Sequence, residues 1–250
     1  MLLRVDNISK YYSQNGSLLG RKNKTVIDSL SFNIASGEAF GLVGESGSGK
    51  STLARLVGGL ELPNSGAIYL NNKPVSQRLH RQGIISIVFQ DYTTSVNPTL
   101  TVGEIIAEPI RIMNSTLTNQ GTQQLIFSLL DRVGLAKSHY QRYIYELSGG
   151  QAQRVCLCRA LASYPQFIVL DEALSSLDLP TQVQILDLLK SLKEEFQLSY
   201  LFISHDIQTV AYFCDKVMFF SQGKKIEQCN ITELNQVTQD YSKQLLASVI

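Results

Sequence analysis

Short apolar runs alternate with amphipathic stretches along most of this chain, which is typical of an α/β protein. The stretch 181–196 predicts a helix, because Val183, Leu186, Leu189 and Leu192 recur at helical spacing. Five apolar runs bounded by Gly, Ser or Asp predict buried strands, at residues 39–44, 84–89, 167–171, 200–204 and 216–220.

The two remaining parts of the chain have other patterns. Residues 4–8, 26–34 and 67–70 predict a small antiparallel layer, interrupted by a polar loop at 13–24. Residues 100–162 have a mostly helical pattern, and strand patterns return only at Phe167. We therefore expect one domain over residues 1–250. Residues 1–90 and 165–250 would form an α/β core with the antiparallel layer, and a helical subdomain would be inserted at 91–164.

Composition narrows the functional classes. The chain has 250 residues, of which 44% are hydrophobic and 17% charged, and its formal net charge is +1. The net charge is close to zero, so the chain lacks the excess of positive charge that is typical of nucleic-acid-binding proteins, and we expect no nucleic-acid partner. No apolar stretch approaches the roughly 20 residues that a membrane span needs, and the first residues do not read as a signal peptide. The four cysteines lack metal-site spacing and are expected to be reduced thiols.

One segment between a predicted strand and a predicted helix fits the phosphate-loop pattern G-x-x-x-x-G-K-[ST]. Its glycines let backbone N–H groups point at phosphate oxygens, and the helix that follows presents its positive end to the same anion. Lys50 would reach the β- and γ-phosphates of ATP, and Ser51 would ligate Mg²⁺. The alternative is a simple Gly/Ser-rich turn. The expected nucleotide-binding residues here are Gly44, Glu45, Ser46, Gly47, Ser48, Gly49, Lys50, Ser51 and Thr52.

Two acids end the apolar strand 167–171. A buried strand would deliver the carboxylate of Asp171 to the phosphate site, which suits it for holding Mg²⁺. Glu172 follows directly and could accept a proton from the attacking water. The alternative for an isolated Asp-Glu pair is a surface turn at the start of a helix.

The segment Leu147-Ser148-Gly149-Gly150-Gln151-Ala152-Gln153-Arg154 resembles the LSGGQxQR signature of ATP-binding-cassette (ABC) ATPases. A hydroxyl and two glycines at a helix start can form a second anion cradle. The resemblance implies a RecA-like P-loop core with an antiparallel β subdomain and an α-helical subdomain. It also implies that Ser148, Gly149, Gly150 and Gln151 clamp the γ-phosphate of ATP held by the opposite subunit.

Further residues match family elements in order along the chain, and their roles are those that the resemblance implies. Gln90 matches the glutamine that touches Mg²⁺ or water and senses the permease. Asp178, in Ser175-Ser176-Leu177-Asp178, matches the aspartate that communicates across the dimer. His205 matches the switch histidine at the γ-phosphate. Tyr12 matches the aromatic residue that stacks on adenine, with Tyr11 as the alternative.

Two segments resemble the branch of ABC ATPases that serves peptide and nickel importers. Residues 90–98 resemble its QDxxxSLNP segment, and residues 241–246 resemble its HPYTRxLL motif, with Gln239 and Asp240 in place of HP. The short ending favours nickel, cobalt or a metal–metallophore complex as the cargo. A di- or oligopeptide cargo is the alternative, since the ATPase does not touch the cargo.

The resemblance also implies partners. We expect a second ABC ATPase subunit, as a heterodimer or in isolation a homodimer, and two transmembrane permease subunits that reach an extracytoplasmic substrate-binding protein. The chain would then lie at the cytoplasmic face of the membrane. The rivals are a soluble ABC ATPase without a transport function, a phosphate-loop kinase, which leaves Leu147–Gln151 unexplained, and a non-hydrolytic regulatory module, which leaves Glu172 and His205 unexplained.

Overall fold

The computed structural model describes residues 1–14, 22–91 and 95–247. The middle of the expected polar loop at 13–24, part of the 90–98 segment and the last three residues therefore lie outside the described residues. The chain forms two compact units: the first contains residues 1–82 and 199–250, and the second contains residues 83–198.

The strands, in chain order, are β1 (Leu3–Gln14), β2 (Lys22–Ile34), β3 (Ala39–Val43), β4 (Ser65–Leu70), β5 (Lys73–Pro74), β6 (Ile85–Phe89), β7 (Phe167–Asp171), β8 (Ser199–Ser204), β9 (Lys216–Ser221) and β10 (Lys224–Asn230). The α-helices are α1 (Lys50–Val57), α2 (Arg78–Arg81), α3 (Val102–Met113), α4 (Asn119–Arg132), α5 (Gly149–Leu161), α6 (Leu179–Phe196), α7 (Ile207–Phe213) and α8 (Asp240–Ala247). Short 3₁₀ helices occupy Lys137–Gln141, Ile144–Glu146 and Ile231–Gln236.

The first unit contains two groups of paired strands. The antiparallel layer has the order β2-β1-β4-β5. In the other group, β3 pairs in parallel with β8 on one side and with β9 on the other, and β10 pairs antiparallel to β9. All five residues of β3 are buried. The ring of Phe213 on α7 packs edge-on against Tyr200 and Phe202 of β8, at 5.3 Å from each ring centroid. The parallel strands of this unit therefore form the kind of buried sheet that the apolar runs predict.

The second unit pairs β6 in parallel with β7, and its other long elements are α3 to α6. Every residue of β7 is buried. Helix α3 begins with a capping box in which Thr101 Oγ1 accepts from the Glu104 N–H and the Glu104 carboxylate accepts from the Thr101 N–H. The helix continues through Pro109 and buries Ile105, Ile106 and Ile110. The subdomain boundaries expected at 91 and 164 stay a prediction.

The antiparallel layer extends further than its apolar residues indicate. Strand β1 continues to Gln14 and β2 begins at Lys22, so both ends of the expected polar loop are strand. Backbone pairing of Tyr12 with Lys24 and of Ser13 with Asn23 supports this extension, because ladder hydrogen bonds do not require apolar side chains. Strand β10 was not predicted for the same reason: all of its residues are exposed or half-buried.

Candidate functional site

The phosphate loop runs from the end of β3 to the start of α1, in the first unit. Gly47 and Gly49 have φ of +78° and +111°, a backbone region that glycine adopts without strain. A Cβ atom on Gly44 would lie 2.0 Å from the carbonyl oxygen of Phe220, so only glycine permits this approach of the loop to β9. The glycine spacing in the sequence therefore has a direct steric cause in the structure.

The N-terminus of α1 has no side-chain cap. Gly49 is the N-cap residue, and it provides no side-chain hydrogen bond to the first turn of the helix. Ser48 is buried, and within the described residues its Oγ has no hydrogen-bond partner. An uncapped helix start beside an unsatisfied buried hydroxyl fits a phosphate group, which accepts hydrogen bonds from both.

Lys50 is the first residue of α1 and is 3% exposed. Its Nζ donates hydrogen bonds of 2.8 Å to the carbonyl oxygens of Gly44 and Glu45. The ammonium group therefore lies within the concave side of the loop. Glu45, Ser46, Gly47 and Ser51 are exposed residues, while Thr52 is buried and accepts a hydrogen bond from Arg55.

His205 lies at the same sheet edge as the phosphate loop. Val43 and Ser204 are neighbours in the parallel pair of β3 and β8, so Gly44 and His205 each follow a paired strand end. His205 is exposed, and the next residue, Asp206, caps α7 by accepting from the Gln208 N–H. Strand pairing thus brings His205 and the loop together at one edge, as expected where parallel strands end.

Tyr12 is tied to the helix that follows the phosphate loop. Its hydroxyl donates to Glu61 Oε2 at 2.5 Å, and Glu61 Oε1 accepts from Arg55 Nε of α1 at 2.6 Å. The ammonium group of Lys10 lies 5.1 Å from the centroid of the Tyr12 ring. Burial opposes the charge of Glu61, but hydrogen bonds from Tyr12, Arg55 and Lys10 hold the pKa of its carboxyl group below its usual range. Tyr11 instead donates its backbone N–H to Asn64 Oδ1.

The second unit brings Gln90, Asp171 and Glu172 to one edge. Phe89 and Asp171 are the last paired residues of β6 and β7, so Gln90 and Glu172 leave the sheet next to each other in register. Asp171 is buried, Glu172 is half-buried and Gln90 is exposed. Glu172 has a φ of +49°, an uncommon backbone conformation for a non-glycine residue. Such strain costs on the order of 1–3 kcal/mol and is concentrated at functional sites.

The signature segment forms the N-terminus of α5. Ser148 Oγ accepts from the Gln151 N–H, and the Gln151 side chain accepts from the Ser148 N–H, which makes a capping box. Gly149 and Gly150 occupy the first turn between them. A Cβ on Gly150 would lie 2.7 Å from Cγ2 of Thr181 on α6. Close packing against Thr181 therefore favours glycine at position 150, in addition to the role in anion binding that is expected for Gly150.

A cavity of about 310 Å³ opens on this helix start. Asp178 lies on the same cavity and caps α6 by accepting from the Thr181 N–H at 2.8 Å, a hydrogen bond that lowers the pKa of Asp178. The structure thus brings the signature residues and Asp178 together within the second unit. The lining residues are Ser148, Gly149, Gly150, Gln151, Arg154, Ser176, Leu177, Asp178, Thr181 and Gln184.

Sequence reasoning did not identify several residues that position these groups. Glu61 follows α1 in a turn and matches no motif, so the sequence carries no signal for its contact with Tyr12. Arg154 donates to the carbonyl oxygen of Val133 and to Gln184, and only its place in the signature marks it. Tyr241 lies in the tail that resembles an importer motif, but the motif does not indicate that its hydroxyl contacts the phosphate loop.

The side chains expected to hold Mg²⁺ are a hydroxyl, an amide oxygen and a carboxylate, from Ser51, Gln90 and Asp171. These hard oxygen donors fit Mg²⁺, which prefers oxygen ligands. In the described ranges, no group of three or more His, Cys, Asp or Glu side chains could hold a metal ion. Among the same residues, no helix is both long and apolar enough to cross a membrane.

Comparison with known proteins places these features in a family. The ABC transporter family profile matches residues 27–175. The metal-staphylopine import system ATP-binding protein CntF of Staphylococcus aureus is 40% identical over 98% of each chain. The nickel import ATP-binding protein NikE of Rhodospirillum rubrum is 40% identical over 100% of this chain and 91% of its own. The dipeptide transport ATP-binding protein DppF of Escherichia coli is 36% identical over 99% of this chain and 76% of its own.

Solved structures agree in fold. The dimeric ATP-binding cassette MJ0796, in a post-hydrolysis state bound to ADP and Pi, superimposes with a TM-score of 0.83 at 26% identity over 92% of this chain and 99% of that chain. The CbiO1 protein of Clostridium perfringens, part of the CbiONQ ABC transporter complex, has a TM-score of 0.79 at 26% identity over 100% of this chain and 99% of that chain. The expected RecA-like P-loop fold is therefore confirmed, and the chain belongs to the ABC transporter family as an ATP-hydrolysing member.

Proposed function

We propose that this chain is the ATP-hydrolysing subunit of an ABC importer, and that it works as one half of a two-subunit ATPase. The observation that carries the proposal is that one chain has two glycine-containing helix starts, each of which would serve as an anion cradle. One lies at Gly44–Lys50 before α1, and the other lies at Ser148–Gly150 before and within α5. A subunit that closed its site alone would need only one cradle for one γ-phosphate.

The first unit binds ATP in this proposal. Backbone N–H groups of the phosphate loop, apart from that of Glu45, and of the first turn of α1 donate to the phosphate oxygens. Lys50 adds a positive charge at the β- and γ-phosphates, and the Ser48 hydroxyl gains the partner that it lacks within the described residues. Tyr12 is the residue that would stack on adenine, and its hydroxyl bond to Glu61 fixes the position of the ring relative to α1.

The second unit supplies the hydrolytic groups. Glu172 orients the attacking water and takes its proton, and the left-handed backbone at this residue sets the direction of its carboxylate. Ser51, Gln90 and Asp171 would hold Mg²⁺, which neutralises charge on the β- and γ-phosphates when bound. His205 of the first unit contacts the γ-phosphate and so distinguishes ATP from ADP.

Two subunits would pair head to tail, so that each phosphate loop faces the partner's signature residues. Lys50→Ala removes the charge of one cradle, and Ser148→Arg fills the other. Each variant alone should be inactive as a homodimer. An equal mixture should regain part of the ATPase activity, because a mixed dimer joins an intact phosphate loop to an intact signature segment.

The mixture has a matched control. Lys50→Ala mixed with the double variant Lys50→Ala, Ser148→Arg contains no intact phosphate loop, so it should stay inactive. A mixture of the two single variants that stayed at the background rate of this control, although subunits exchanged, would contradict the composite site.

We propose a chelated metal as the cargo of the transporter: nickel, cobalt or a metal–metallophore complex. The support is the similarity along almost the whole length to CntF and NikE, whose names specify metal-staphylopine and nickel import. A strain that lacks this subunit should lose uptake of radioactive nickel or cobalt, with or without an added metallophore, and the wild-type gene should restore it. Undiminished uptake of the metals in all these forms would count against the cargo assignment.

A di- or oligopeptide cargo is the second candidate. The dipeptide and oligopeptide transport proteins DppF and OppF are 36% and 38% identical to this chain. Residues 90–98 also resemble an importer segment that peptide transporters share, although 92–94 lie outside the described residues. Uptake of a labelled dipeptide by the same pair of strains distinguishes the candidates: loss of peptide uptake with normal metal uptake supports the peptide importer.

The proposal also includes the rest of the transporter. Two permease subunits would anchor the chain to the cytoplasmic face of the membrane, a related ATPase would be its physiological partner, and an extracytoplasmic binding protein would deliver the cargo. Purification of a tagged subunit from native membranes, followed by mass spectrometry, tests these partners. Recovery of the subunit without any permease would count against membrane assembly.

A further inference from the structure

The C-terminal helix α8 contacts the phosphate loop through one side chain. The hydroxyl oxygen of Tyr241 accepts a hydrogen bond of 3.1 Å from the backbone N–H of Glu45. The same hydroxyl donates to the carbonyl oxygen of Phe220, at the longer distance of 3.3 Å. A tyrosine hydroxyl can donate and accept at once, so Tyr241 links the loop to β9.

The Tyr241 contact is on the same peptide group that Lys50 holds. The N–H of Glu45 and the C=O of Gly44 belong to one planar peptide, and they point in opposite directions because the peptide is trans. Lys50 Nζ donates to that carbonyl oxygen at 2.8 Å, while Tyr241 accepts from the N–H on the other side. The orientation of this peptide is therefore fixed at both ends by side chains.

Phe220 also restricts the position of the Gly44–Glu45 peptide. Its carbonyl oxygen would lie only 2.0 Å from a Cβ on Gly44, so the loop passes directly against β9 at this point. Further along the loop, the carbonyl oxygen of Ser48 accepts from the N–H of Gly223, in the turn between β9 and β10. The carboxyl-terminal strands and helix thus support the loop at its first and fifth residues.

Glu227 of β10 anchors the start of α8. Its carboxylate accepts hydrogen bonds from the N–H and the hydroxyl of Thr238 at 2.8 and 3.1 Å, and from the N–H of Gln239 at 3.2 Å. Burial opposes its charge, but these bonds, led by the Thr238 N–H, hold the pKa of Glu227 below its usual range. The helix is therefore fixed two residues before Tyr241.

We propose that Tyr241 is a positioning residue for the phosphate loop, and that α8 supports nucleotide binding by holding the Gly44–Glu45 peptide. The Glu45 N–H is occupied by Tyr241 and is not a phosphate donor, so the hydroxyl acts on the shape of the loop and does not touch ATP. The inference rests on the proposed binding of ATP phosphates by this loop.

Tyr241→Phe tests the proposal, because it removes the hydroxyl and keeps the ring. A neutral hydrogen bond contributes about 0.5–1.5 kcal/mol net, so the Kd and the KM for ATP should rise about two- to tenfold, with little change in kcat. The same lost hydrogen bonds should lower the urea midpoint modestly, so the change in Kd and KM is the diagnostic result. Tyr164→Phe is the matched control, since Tyr164 is exposed and belongs to the second unit, and it should change neither KM nor Kd.

A second measurement is amide hydrogen exchange, whose wild-type result does not depend on how the variant folds. The Glu45 amide should exchange its hydrogen slowly in the wild type and faster in Tyr241→Phe. Wild-type exchange as fast as that of an exposed loop amide would overturn the proposal. So would a Tyr241→Phe variant with an unchanged KM, even if its urea midpoint fell, because Tyr241 would then be a contact of the fold alone.

Lys50→Ala separates this inference from the proposed function. If Lys50→Ala bound ATP as tightly as the wild type, the assignment of the loop itself would be wrong. If Lys50→Ala lost binding while Tyr241→Phe kept wild-type Kd and KM, only the role of Tyr241 would be wrong.

Discussion

Phe89 and Asp171 are paired neighbours at the ends of two parallel strands, β6 and β7. This register places Gln90 and Glu172 one residue beyond the paired ends, at the same edge of the sheet. The two residues lie more than 80 positions apart in the sequence, so strand pairing alone brings them together. Glu172, which is proposed to act on water, and Gln90, which is proposed to sense the permease, are therefore positioned by the same pair of strands.

Replacing Glu172 with glutamine should separate binding from hydrolysis. The amide keeps the size of the side chain but cannot take a proton, so kcat should fall by about 100- to 10,000-fold. ATP should still bind, because the phosphate loop is unchanged. Steady-state phosphate release and equilibrium nucleotide binding measure the two effects. Glu195→Gln, which breaks the exposed ion pair with Arg132, is the control and should keep wild-type turnover. Wild-type hydrolysis by Glu172→Gln would contradict the assignment.

The contact between Gly150 and Thr181 predicts that substitutions at these two positions have non-additive effects on the free energy of unfolding. Gly150→Ala should lower both stability and ATPase activity, because its Cβ would lie 2.7 Å from Thr181 Cγ2. Thr181→Ser removes that methyl group and retains the backbone N–H that Asp178 caps. Urea unfolding of the two single variants and the double variant should give a coupling free energy of about 0.5–3 kcal/mol in favour of the double variant. Strictly additive effects would mean that a Cβ at position 150 does not clash with Thr181.

Gln90 should matter more for transport than for hydrolysis. It directly follows β6 and precedes the largely helical residues of the second unit, and it is the residue proposed to sense the permease. Gln90→Ala should reduce transport in reconstituted vesicles more than it reduces the basal ATPase of the isolated subunit. Equal losses in the two assays would limit Gln90 to a local contact with Mg²⁺ or water. We also expect a short cytoplasmic helix of the permease to dock on the second unit near Gln90. Crosslinks from the permease to residues 10–24 alone would contradict this docking.

We expect the cysteine thiols to react slowly with thiol reagents near neutral pH. Burial raises the pKa of Cys156 to about 11 and raises the pKa of Cys158 further, so neither forms much thiolate near neutral pH. Cys229 is only partly buried, and burial together with Glu227 and Glu233 also raises its pKa. In the native protein a thiol reagent should therefore modify Cys229 first, and the rate should increase as pH rises. Cys229→Ser should remove this first reaction. Rapid modification of Cys156 at neutral pH would contradict the burial.

The sequence by itself determined the fold class and the identity of the motifs. Buried parallel strands such as Phe167–Asp171 are continuous apolar runs, so hydropathy finds them without any tertiary information. The phosphate loop and the signature segment are contiguous, since backbone N–H groups at one helix start must come from successive residues. Because such a site is formed by consecutive residues, the sequence alone was enough to recognise both motifs, at Gly44–Ser51 and Leu147–Arg154.

The tertiary structure decided the contacts between residues that are distant in the chain. The exposed strand β10 has no apolar period, because its stability comes from backbone pairing with β9. The bond of Tyr12 to Glu61 links positions 49 residues apart, and the bond of Tyr241 to Glu45 links positions 196 apart. A side-chain hydroxyl that meets a backbone N–H across the fold leaves no periodic or motif signal, because only the packed chain brings its two atoms within hydrogen-bond distance.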